Sequence, residues 1–397
     1  MVVHSYYDED PRVRREAETL AAAGHEVEVF ALRRESDAAT GIVDGVAVRR
    51  LGVQRHQGAG IAVYLREYLS FVARSGWALT RFHRRRRYDL VQVHSLPDFL
   101  ALAALPLRLA GVPLVLDLHE AMPEFFRSRF PGAANPIVHR LLLVQERLSI
   151  SLATAVVTVN ASMVDRLVEL GVARDKVHVV PNSASLARFD PAAHPTRPFA
   201  ADDTVRLVYA GALTPTYELD VALDAFAAVV AARPAVAFSF DLFGRGDSEP
   251  GLRARAAALG IADQVTFRGR IPIEDVPAAI AAADIGLAPT RRDPFTDVSL
   301  STKLFEYSAM GKPVVATRLP MVERTFPEGT VSTYPAGDAA GLSAAILALI
   351  DDPAARSAAV ARTSALVRER SWERDAIGYL DLVRRLTDGS DRARHTR

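Results

Sequence analysis

The chain alternates short apolar runs with longer stretches of helical periodicity. Alternation of this kind is typical of parallel sheets that are covered by helices on both faces. We therefore predict an α/β fold class with doubly wound, Rossmann-like sheets. The predicted strands are Glu26–Leu32, Leu90–His94, Pro113–His119, Ala155–Asn160, Val177–Pro181, Val205–Gly211, Ala237–Gly244, Val265–Gly269, Asp284–Pro289 and Pro313–Thr317.

The length of the chain indicates two domains. At 397 residues it exceeds one typical core, and domains of about 150–200 residues are expected. A polar segment with three prolines, between Asp190 and Asp203, disfavours both helix and central strand. The predicted parts are a domain at 1–190, a linker at 191–203, a domain at 204–370, a last amphipathic helix at 371–387 and a disordered polar tail at 388–397.

Composition narrows the class of protein. The chain has no cysteine, which excludes disulfides, thiol catalysis and cysteine-ligated metals. The formal net charge of +1 gives no overall preference for nucleic acid, and we predict no such partner. Neither an apolar run of membrane-spanning length nor a signal peptide is evident, so we expect a cytoplasmic protein.

The most informative segment is Ser299–Thr317, which reads as a helix followed by a buried strand. Ser301, Thr302 and Lys303 fall at the start of this helix, where free backbone N–H groups and the helix dipole favour a phosphate. Glu306 follows on the same face. A carboxylate beside a phosphate is repulsive unless it accepts hydrogen bonds from a neutral group such as a sugar diol. The segment therefore predicts a nucleotide-sugar pocket.

The same segment resembles the C-terminal signature of the family 4 (group 1) glycosyltransferases, whose fold is called GT-B. The resemblance extends to the entry of the first helix, to His119 and to the Val-Val-Pro run before Asn182. It implies two Rossmann-like domains facing a cleft, with the C-terminal helix crossing back to the first domain. The predicted parts would then be an acceptor-binding domain at 1–190 and a nucleotide-sugar-binding domain at 204–370.

The resemblance also implies an activity. Family members transfer a sugar from a nucleoside-diphosphate sugar with retention at the anomeric carbon, and without a metal or other cofactor. Glu306 would contact the nucleotide ribose, while Lys303 and the helix amides would stabilise the leaving diphosphate. The expected acceptor is a hydroxyl of a glycan, a lipid-linked sugar or a small molecule.

Two histidines end predicted strands of the first domain, at the edge where open α/β sheets bind ligands. A single histidine there is more often structural. The resemblance places His119, which Glu120 follows, near the donor sugar and phosphate, and gives it a catalytic, orienting role. For His94 a scaffold role and a cleft-lining role stay open. Arg12 is expected to reach the cleft and contact a phosphate or the acceptor.

Asp8-Glu9-Asp10 has the spacing of an acidic metal-binding motif, but it precedes Pro11 at the predicted start of a helix. Proline favours the first helical position, and an aspartate before it favours the cap. We interpret these acids as capping groups and predict no metal.

The donor loop of the second domain departs from the family pattern. Val205–Gly211 is similar to the family's first strand and loop in this domain, in which an Arg follows the glycine and a Lys precedes the helix. This chain has Ala212 and Tyr217 at those places. The family's first glutamate, eight residues before the second, is replaced by Val298. These changes leave the donor, or its affinity, open.

We expect replacement charge for the phosphates from Lys303 together with one of Arg291 and Arg292. Gly211 and Arg245, the latter in the Gly-Arg-Gly turn after another strand, complete the predicted donor site. Two other functions remain open. One is a sugar-nucleotide isomerase of the 2-epimerase type, and the other is a catalytically silent partner protein that binds nucleotide or glycan.

A basic amphipathic stretch at Ile61–Arg87 ends in four arginines, Arg84–Arg87. Basic helices with aromatic residues can lie on anionic membranes. Two interpretations of this stretch stay open: a solvated helix end, and a peripheral membrane contact through Arg84–Arg87 that would suit a lipid-carried acceptor.

Overall fold

The computed structural model describes residues 1–54, 60–130, 132, 135–195 and 197–395. The chain forms two compact units: unit 1 comprises Met1–Pro181 and Asp375–Arg397, and unit 2 comprises Asn182–Arg374. Within the described ranges, no helix combines the length and the apolar character needed to span a bilayer.

Unit 1 has a mostly parallel sheet. Its strands are β1 (Glu28–Leu32), β2 (Thr40–Val43), β3 (Val46–Leu51), β4 (Val91–His94), β5 (Leu114–Leu118), β6 (Ala155–Thr158) and β7 (Val177–Val179). They pair in the orders β1-β3-β2 and β4-β5-β6-β7, and only β2 and β3 are antiparallel. Val2 bridges the two parts, since it pairs in parallel with Phe30 of β1 and with Val93 of β4.

The helices of unit 1 lie between these strands. They are α1 (Pro11–Ala22), α2 (Ile61–Arg86), α3 (Leu105–Leu109), α4 (Met122–Arg129), α5 (Pro136–Leu152) and α6 (Ala161–Glu169), with 3-10 helices at Tyr7–Glu9, Asp98–Ala104 and Arg174–Lys176. As predicted, Asp10 caps α1 and Pro11 takes its first position, with the Asp10 side chain accepting from the backbone N of Val13.

Unit 2 is built on a six-stranded parallel sheet of order β10-β9-β8-β11-β12-β13. Its strands are β8 (Thr204–Ala210), β9 (Ala237–Phe243), β10 (Val265–Gly269), β11 (Ile285–Ala288), β12 (Val314–Thr317) and β13 (Ser332–Tyr334). Its helices are α7 (Leu219–Ala232), α8 (Glu249–Ala258), α9 (Val276–Ala281), α10 (Thr302–Ala309), α11 (Pro320–Thr325), α12 (Ala339–Asp351) and α13 (Pro353–Glu369), with a 3-10 helix at Pro191–Ala193. The α/β prediction is confirmed.

The last helix, α14, runs from Trp372 to His395. From Asp375 onward it belongs to unit 1, where the hydroxyl of Tyr379 donates to Oε1 of Gln92 at 2.7 Å. The predicted disordered tail is therefore wrong for 388–395, which continue the helix; residues 396 and 397 lie outside the described part. The sequence does not predict this part of the helix, because its last turns are polar and have no apolar stripe.

The predicted linker at 191–203 lies inside unit 2, and the units divide between Pro181 and Asn182. The physical reason is packing. Phe189 is buried in a core cluster of unit 2, and Arg197 forms an ion pair with buried Asp284 at 2.6 Å. The buried ring of Phe189 and the ion pair of Arg197 therefore hold this proline-containing part of the chain on unit 2.

Candidate functional site

The N-terminus of α10 in unit 2 is open for a ligand. No side chain caps the helix, and the buried Oγ of Ser301 has no hydrogen-bond partner within the described residues. Thr302 and Lys303 occupy the first turn, as predicted. Uncapped backbone N–H groups at a helix start favour an anion. Ser301 and Thr302 are therefore placed as a phosphate or sugar site requires.

Lys303 is the positive charge of this site. Its side chain is only 6% exposed and makes no ion pair within the described part of the chain. The ammonium lies 4.1 Å from the ring centroid of Tyr217 and 5.0 Å from that of Tyr209. Two aromatic faces hold the cation by cation–π attraction, but they leave its charge uncompensated. A buried cation without a counter-ion is costly, so this arrangement calls for an anionic ligand.

Gly211 joins β8 to Lys303. A Cβ at this position would lie 2.6 Å from Nζ of Lys303, so a larger residue would displace the end of the lysine side chain from this place. Two of the predicted donor residues are thus brought together. The packing continues into the next loop, because a Cβ on Gly244 would overlap the carbonyl oxygen of Gly211, and the N–H of Gly211 donates to the carbonyl of Phe243 at 2.8 Å.

A buried tyrosine holds α10 against the sheet. The hydroxyl of Tyr307 accepts a hydrogen bond from the N–H of Ala210, the last residue of β8, at 3.0 Å. Its ring lies over Gly286 of β11, where any Cβ would collide with it. Burial raises the pKa of Tyr307 far above its usual range, which keeps the hydroxyl neutral. These contacts fix the distance between the helix N-terminus and the end of β8.

Three further residues were predicted to bind the donor: Glu306, Arg291 and Arg245. Glu306 is half-buried on α10, one turn after Lys303. Arg291 is exposed, and its backbone N–H donates to the carbonyl of Thr216 in the loop after β8. Arg245 is exposed, and its carbonyl accepts from the N–H of Leu213. Both arginines are therefore on loops that touch the β8–α7 connection.

Arg292 was the alternative to Arg291, and it is otherwise engaged. Its Nε donates to Oδ1 of Asp297 at 3.1 Å. The same contact occupies Asp297, the carboxylate next to Val298. Of the two arginines, Arg291 is the one without such a pairing in the described part of the chain.

Unit 1 has a separate cluster around Asp117, a carboxylate buried within β5. Arg12 binds it with two hydrogen bonds, from Nε to Oδ2 at 2.7 Å and from Nη2 to Oδ1 at 2.8 Å. His94, opposite Asp117 on β4, approaches Oδ2 with Nδ1 at 2.8 Å. Burial alone would raise the pKa of Asp117, but Arg12 and the two histidines hold it well below its usual range. Asp117 is therefore ionised.

His119 follows β5 and is 18% exposed at its side chain. Its Nδ1 lies 3.5 Å from Oδ2 of Asp117, a distance for charge attraction rather than a good hydrogen bond. Burial lowers the pKa of His119, but the carboxylate of Asp117 outweighs it and the pKa is raised. The imidazole is thus a partly accessible group that Asp117 biases toward the protonated form.

The prediction for Arg12 is wrong. Its guanidinium is buried, and besides Asp117 it donates to the carbonyl of Val180 at 2.9 Å and lies 3.2 Å from Glu16. Every face of the group is used within unit 1, so it does not reach out to a phosphate. The signal that reasoning from the sequence missed was Asp117 itself, since a carboxylate inside a buried strand requires a cation.

Asp98 was also missed. It lies after β4, at the start of the 3-10 helix Asp98–Ala104, and it is fully buried. Neither carboxylate oxygen has a hydrogen-bond partner within the described residues. Burial, followed by the charge of Glu146, raises the pKa of Asp98 well above its usual range. The group is therefore expected to be a neutral carboxylic acid at the carboxyl edge of the sheet.

The donor atoms of His94, Asp117 and His119 all lie within 4.8 Å of one another, a spacing compatible with a metal ion. Arg12, however, already binds both oxygens of Asp117. A second cation at the same carboxylate would be repelled by the guanidinium. This cluster is better explained as a network that fixes the histidines.

Both parts of the chain match models of known protein families. Residues 10–183 match the glycosyl transferase 4-like domain, and residues 204–352 match the glycosyl transferases group 1. The D-inositol 3-phosphate glycosyltransferase of Thermomonospora curvata is 29% identical over 90% of this chain and 85% of its own length.

Two solved structures show a similar fold. The sucrose-phosphate synthase of Thermosynechococcus elongatus has a TM-score of 0.78 at 19% identity, covering 98% of this chain and 99% of its own. The Anabaena protein HepE, in complex with UDP-glucose, has a TM-score of 0.71 at 15% identity, covering 96% and 98%. Together with the two domain matches, the fold and the α10 segment show that this chain is an enzyme of the group 1, family 4-like glycosyltransferases, with the GT-B fold.

Proposed function

We propose that this enzyme transfers a sugar from a nucleoside-diphosphate sugar to an acceptor hydroxyl, with retention at the anomeric carbon and without a metal. The observation that carries the proposal is Lys303, a buried ammonium without a carboxylate partner in the described residues, beside the uncapped N-terminus of α10. A diphosphate supplies the negative charge that this arrangement lacks.

The same residues account for metal independence in this proposal. As the bond to the sugar breaks, negative charge grows on the leaving diphosphate. Preorganised donors at that place stabilise the transition state without reorganising. The N–H groups of α10 and the ammonium of Lys303 take the role that a cation takes elsewhere. Glu306, one turn later, accepts hydrogen bonds from the ribose hydroxyls.

In this proposal, Lys303 also supplies the positive charge that the chain lacks at Ala212 and Tyr217. The loop lysine of the family is replaced by Tyr217, and the loop arginine by Ala212. The ring of Tyr217 now lies 4.1 Å from the ammonium of Lys303, and so positions a different cation at the end of β8. Arg291, on the neighbouring loop, supplies further positive charge in our assignment, and Arg245 a weaker contribution.

We assign the acceptor to unit 1. The Thermomonospora relative is named for D-inositol 3-phosphate, which makes a polyhydroxylated small molecule a reasonable class to test beside glycans and lipid-linked sugars. His119, held by Asp117, orients the donor sugar or stabilises developing negative charge. Because the raised pKa favours the imidazolium, we do not assign it as a nucleophile.

We further propose a cytoplasmic location and a peripheral membrane contact at Arg84–Arg87. Arg84, Arg85 and Arg86 form the last turn of α2, and all four arginines are exposed. An anionic surface would complement them. Nucleic acid is not a proposed partner.

The first experiment is calorimetric titration of the protein with UDP, GDP, ADP and TDP. Lys303→Met should weaken binding of the preferred diphosphate by about 1.5–3 kcal/mol, the value of a hydrogen bond to a charged group. Lys312→Met is the matched control, since Lys312 is a buried lysine of unit 2 whose Nζ donates to the carbonyl of Ala281. Equal affinity in both variants, or no binding of any nucleotide, would overturn the donor assignment.

Catalysis is tested separately. Incubation of the donor with candidate acceptors in excess EDTA should give a glycoside whose anomeric configuration, read by proton NMR, matches that of the donor. Formation of an altered free sugar without acceptor would indicate an epimerase. Tight nucleotide binding without any turnover would indicate a silent binding protein.

A further inference from the structure

Helix α5 presents an apolar face to solvent. Four aliphatic side chains are exposed by 73%, 63%, 47% and 61%: Ile137, Leu141, Val144 and Leu148. Their spacings of four, three and four residues place them on one face of the helix. The opposite face carries Glu146, Ser149 and Ile150, which are buried in unit 1. Helix α5 is therefore apolar on the side that the fold leaves uncovered.

The exposed charges of α5 are all positive. Arg140 and Arg147 are exposed along one flank of the apolar stripe, and neither forms a hydrogen bond or ion pair within the described residues. The helix has one carboxylate, Glu146, which is buried and paired with Arg166 at 2.8 Å. The outer face of α5 thus combines aliphatic side chains with uncompensated arginines.

These features disfavour a second copy of the chain as the occupant. A two-fold contact through this face would bring Arg140 and Arg147 of one copy toward the same arginines of the other. The stripe is also short, about 17 Å at 1.5 Å per residue. One row of side chains of this length is far below the roughly 800 Å² per partner of a standard interface.

We propose that the outer face of α5 docks on an anionic lipid surface. Ile137, Leu141, Val144 and Leu148 enter the boundary between headgroups and acyl chains, while Arg140 and Arg147 bind the headgroups. Interfacial helices combine these two contributions, buried apolar area and electrostatic attraction. The surface is distinct from Arg84–Arg87 on α2, and the proposal does not depend on the donor chemistry.

The test is co-sedimentation of the full chain with vesicles. Wild-type protein should bind vesicles of phosphatidylcholine mixed with phosphatidylglycerol, and bind phosphatidylcholine alone weakly. A variant with Ile137, Leu141, Val144 and Leu148 all changed to Gln should lose about ten-fold or more in partitioning, since glutamine keeps the helix but not the apolar contact. The matched control is Leu109→Gln with Ile377→Gln, at two aliphatic positions that are 79% and 63% exposed on other helices.

A fluorescence measurement identifies the face that inserts. In a Leu141→Trp, Trp77→Phe variant, the remaining native tryptophan, Trp372, is buried. Brominated anionic lipids should then quench the new side chain on α5. Unchanged fluorescence, wild-type partitioning of the four-fold Gln variant, or a dimer in wild-type that the variant abolishes would each overturn the proposal. Loss of binding only when Arg84–Arg87 are changed to Gln would overturn it in favour of α2.

Discussion

At the scale of single residues, the pair Asp117 and His119 predicts that the stability of the fold depends on pH. The folded-state pKa of His119 is raised above that of a free imidazole, about 6.5. Its protonation therefore stabilises the fold, and this contribution is fully present below about pH 6.5 and is lost as the pH rises through the raised pKa. Asp117→Asn should lower the pKa of His119 and flatten this dependence.

The measurement is an NMR titration of the imidazole signals of wild-type and Asp117→Asn, with His119→Gln used to assign the resonance. Asp117→Asn should also destabilise the fold by about 3–5 kcal/mol, because the buried guanidinium of Arg12 loses the carboxylate that it binds with two hydrogen bonds. A pKa of His119 that is the same in both proteins would contradict the role given to Asp117.

Asp98 predicts a pH dependence of stability with the same sign as that of His119. Its folded-state pKa lies well above its usual range, whereas in the unfolded chain it is about 3.9. Between those two pKa values the folded state binds the proton and the unfolded state does not, so stability falls as the pH rises. Asp98→Asn removes the ionisable group and should be neutral or stabilising by about 1–3 kcal/mol at neutral pH.

Urea unfolding of wild-type and Asp98→Asn across the pH range tests this expectation. A variant that is markedly less stable than wild-type at neutral pH would show that the ionised carboxylate is held by favourable contacts. Leu100→Asn in the same 3-10 helix is the control for placing an amide there, and it should destabilise, because Leu100 is a buried core residue.

The positions of the proposed donor residues on α10 could be predicted more readily than the contacts around Asp117. Ser301, Thr302, Lys303 and Glu306 lie within six residues of sequence, so helix periodicity alone places them at the start of one helix. The Asp117 cluster joins residues far apart in the chain, and its geometry depends on the register of β4 and β5. Strand register is a tertiary property, which is why Arg12 was predicted to lie free for a phosphate and is buried instead.

At the scale of elements, the packing of the β8 and β9 loops makes a sharp prediction. Gly244 has a φ of 141°, and a Cβ there would overlap the carbonyl oxygen of Gly211. Gly244→Ala should cost about 3 kcal/mol or more, since both the backbone conformation and the contact are lost. It should also abolish nucleotide binding, because Gly211 forms the surface on which Lys303 lies.

Gly251→Ala is the matched control. Gly251 is in α8 with open space around its Cα, so alanine should stabilise by about 0.5–1 kcal/mol. Thermal unfolding and nucleotide titration of both variants give the comparison. If Gly244→Ala bound nucleotide as wild-type does, the two loops would not define the site.

Elements with a buried apolar pattern were predictable, and exposed ones were not. All ten predicted strands are present, since each has a run of apolar residues bounded by turn residues. The hairpin of β2 and β3 was missed, because β2 is largely exposed and its sequence carries no alternation of apolar and polar residues. Only pairing with β3 specifies it.

At the scale of the whole molecule, two separate cores predict two unfolding transitions. Phe71 lies in the main core of unit 1, and Phe226 in that of unit 2. Truncating either ring to alanine should cost about 3–5 kcal/mol and lower the transition of its own unit, which assigns the two transitions in calorimetry.

The donor assignment then fixes which transition responds to nucleotide. All residues proposed to bind the nucleotide, from Gly211 to Glu306, belong to unit 2. A ligand at 100 times its dissociation constant stabilises the binding state by about 2.7 kcal/mol. The preferred diphosphate should therefore raise the transition that Phe226→Ala lowers, by several degrees, and this increase should vanish in Lys303→Met. A rise confined to the transition that Phe71→Ala lowers would place nucleotide binding in unit 1 and refute the role of α10.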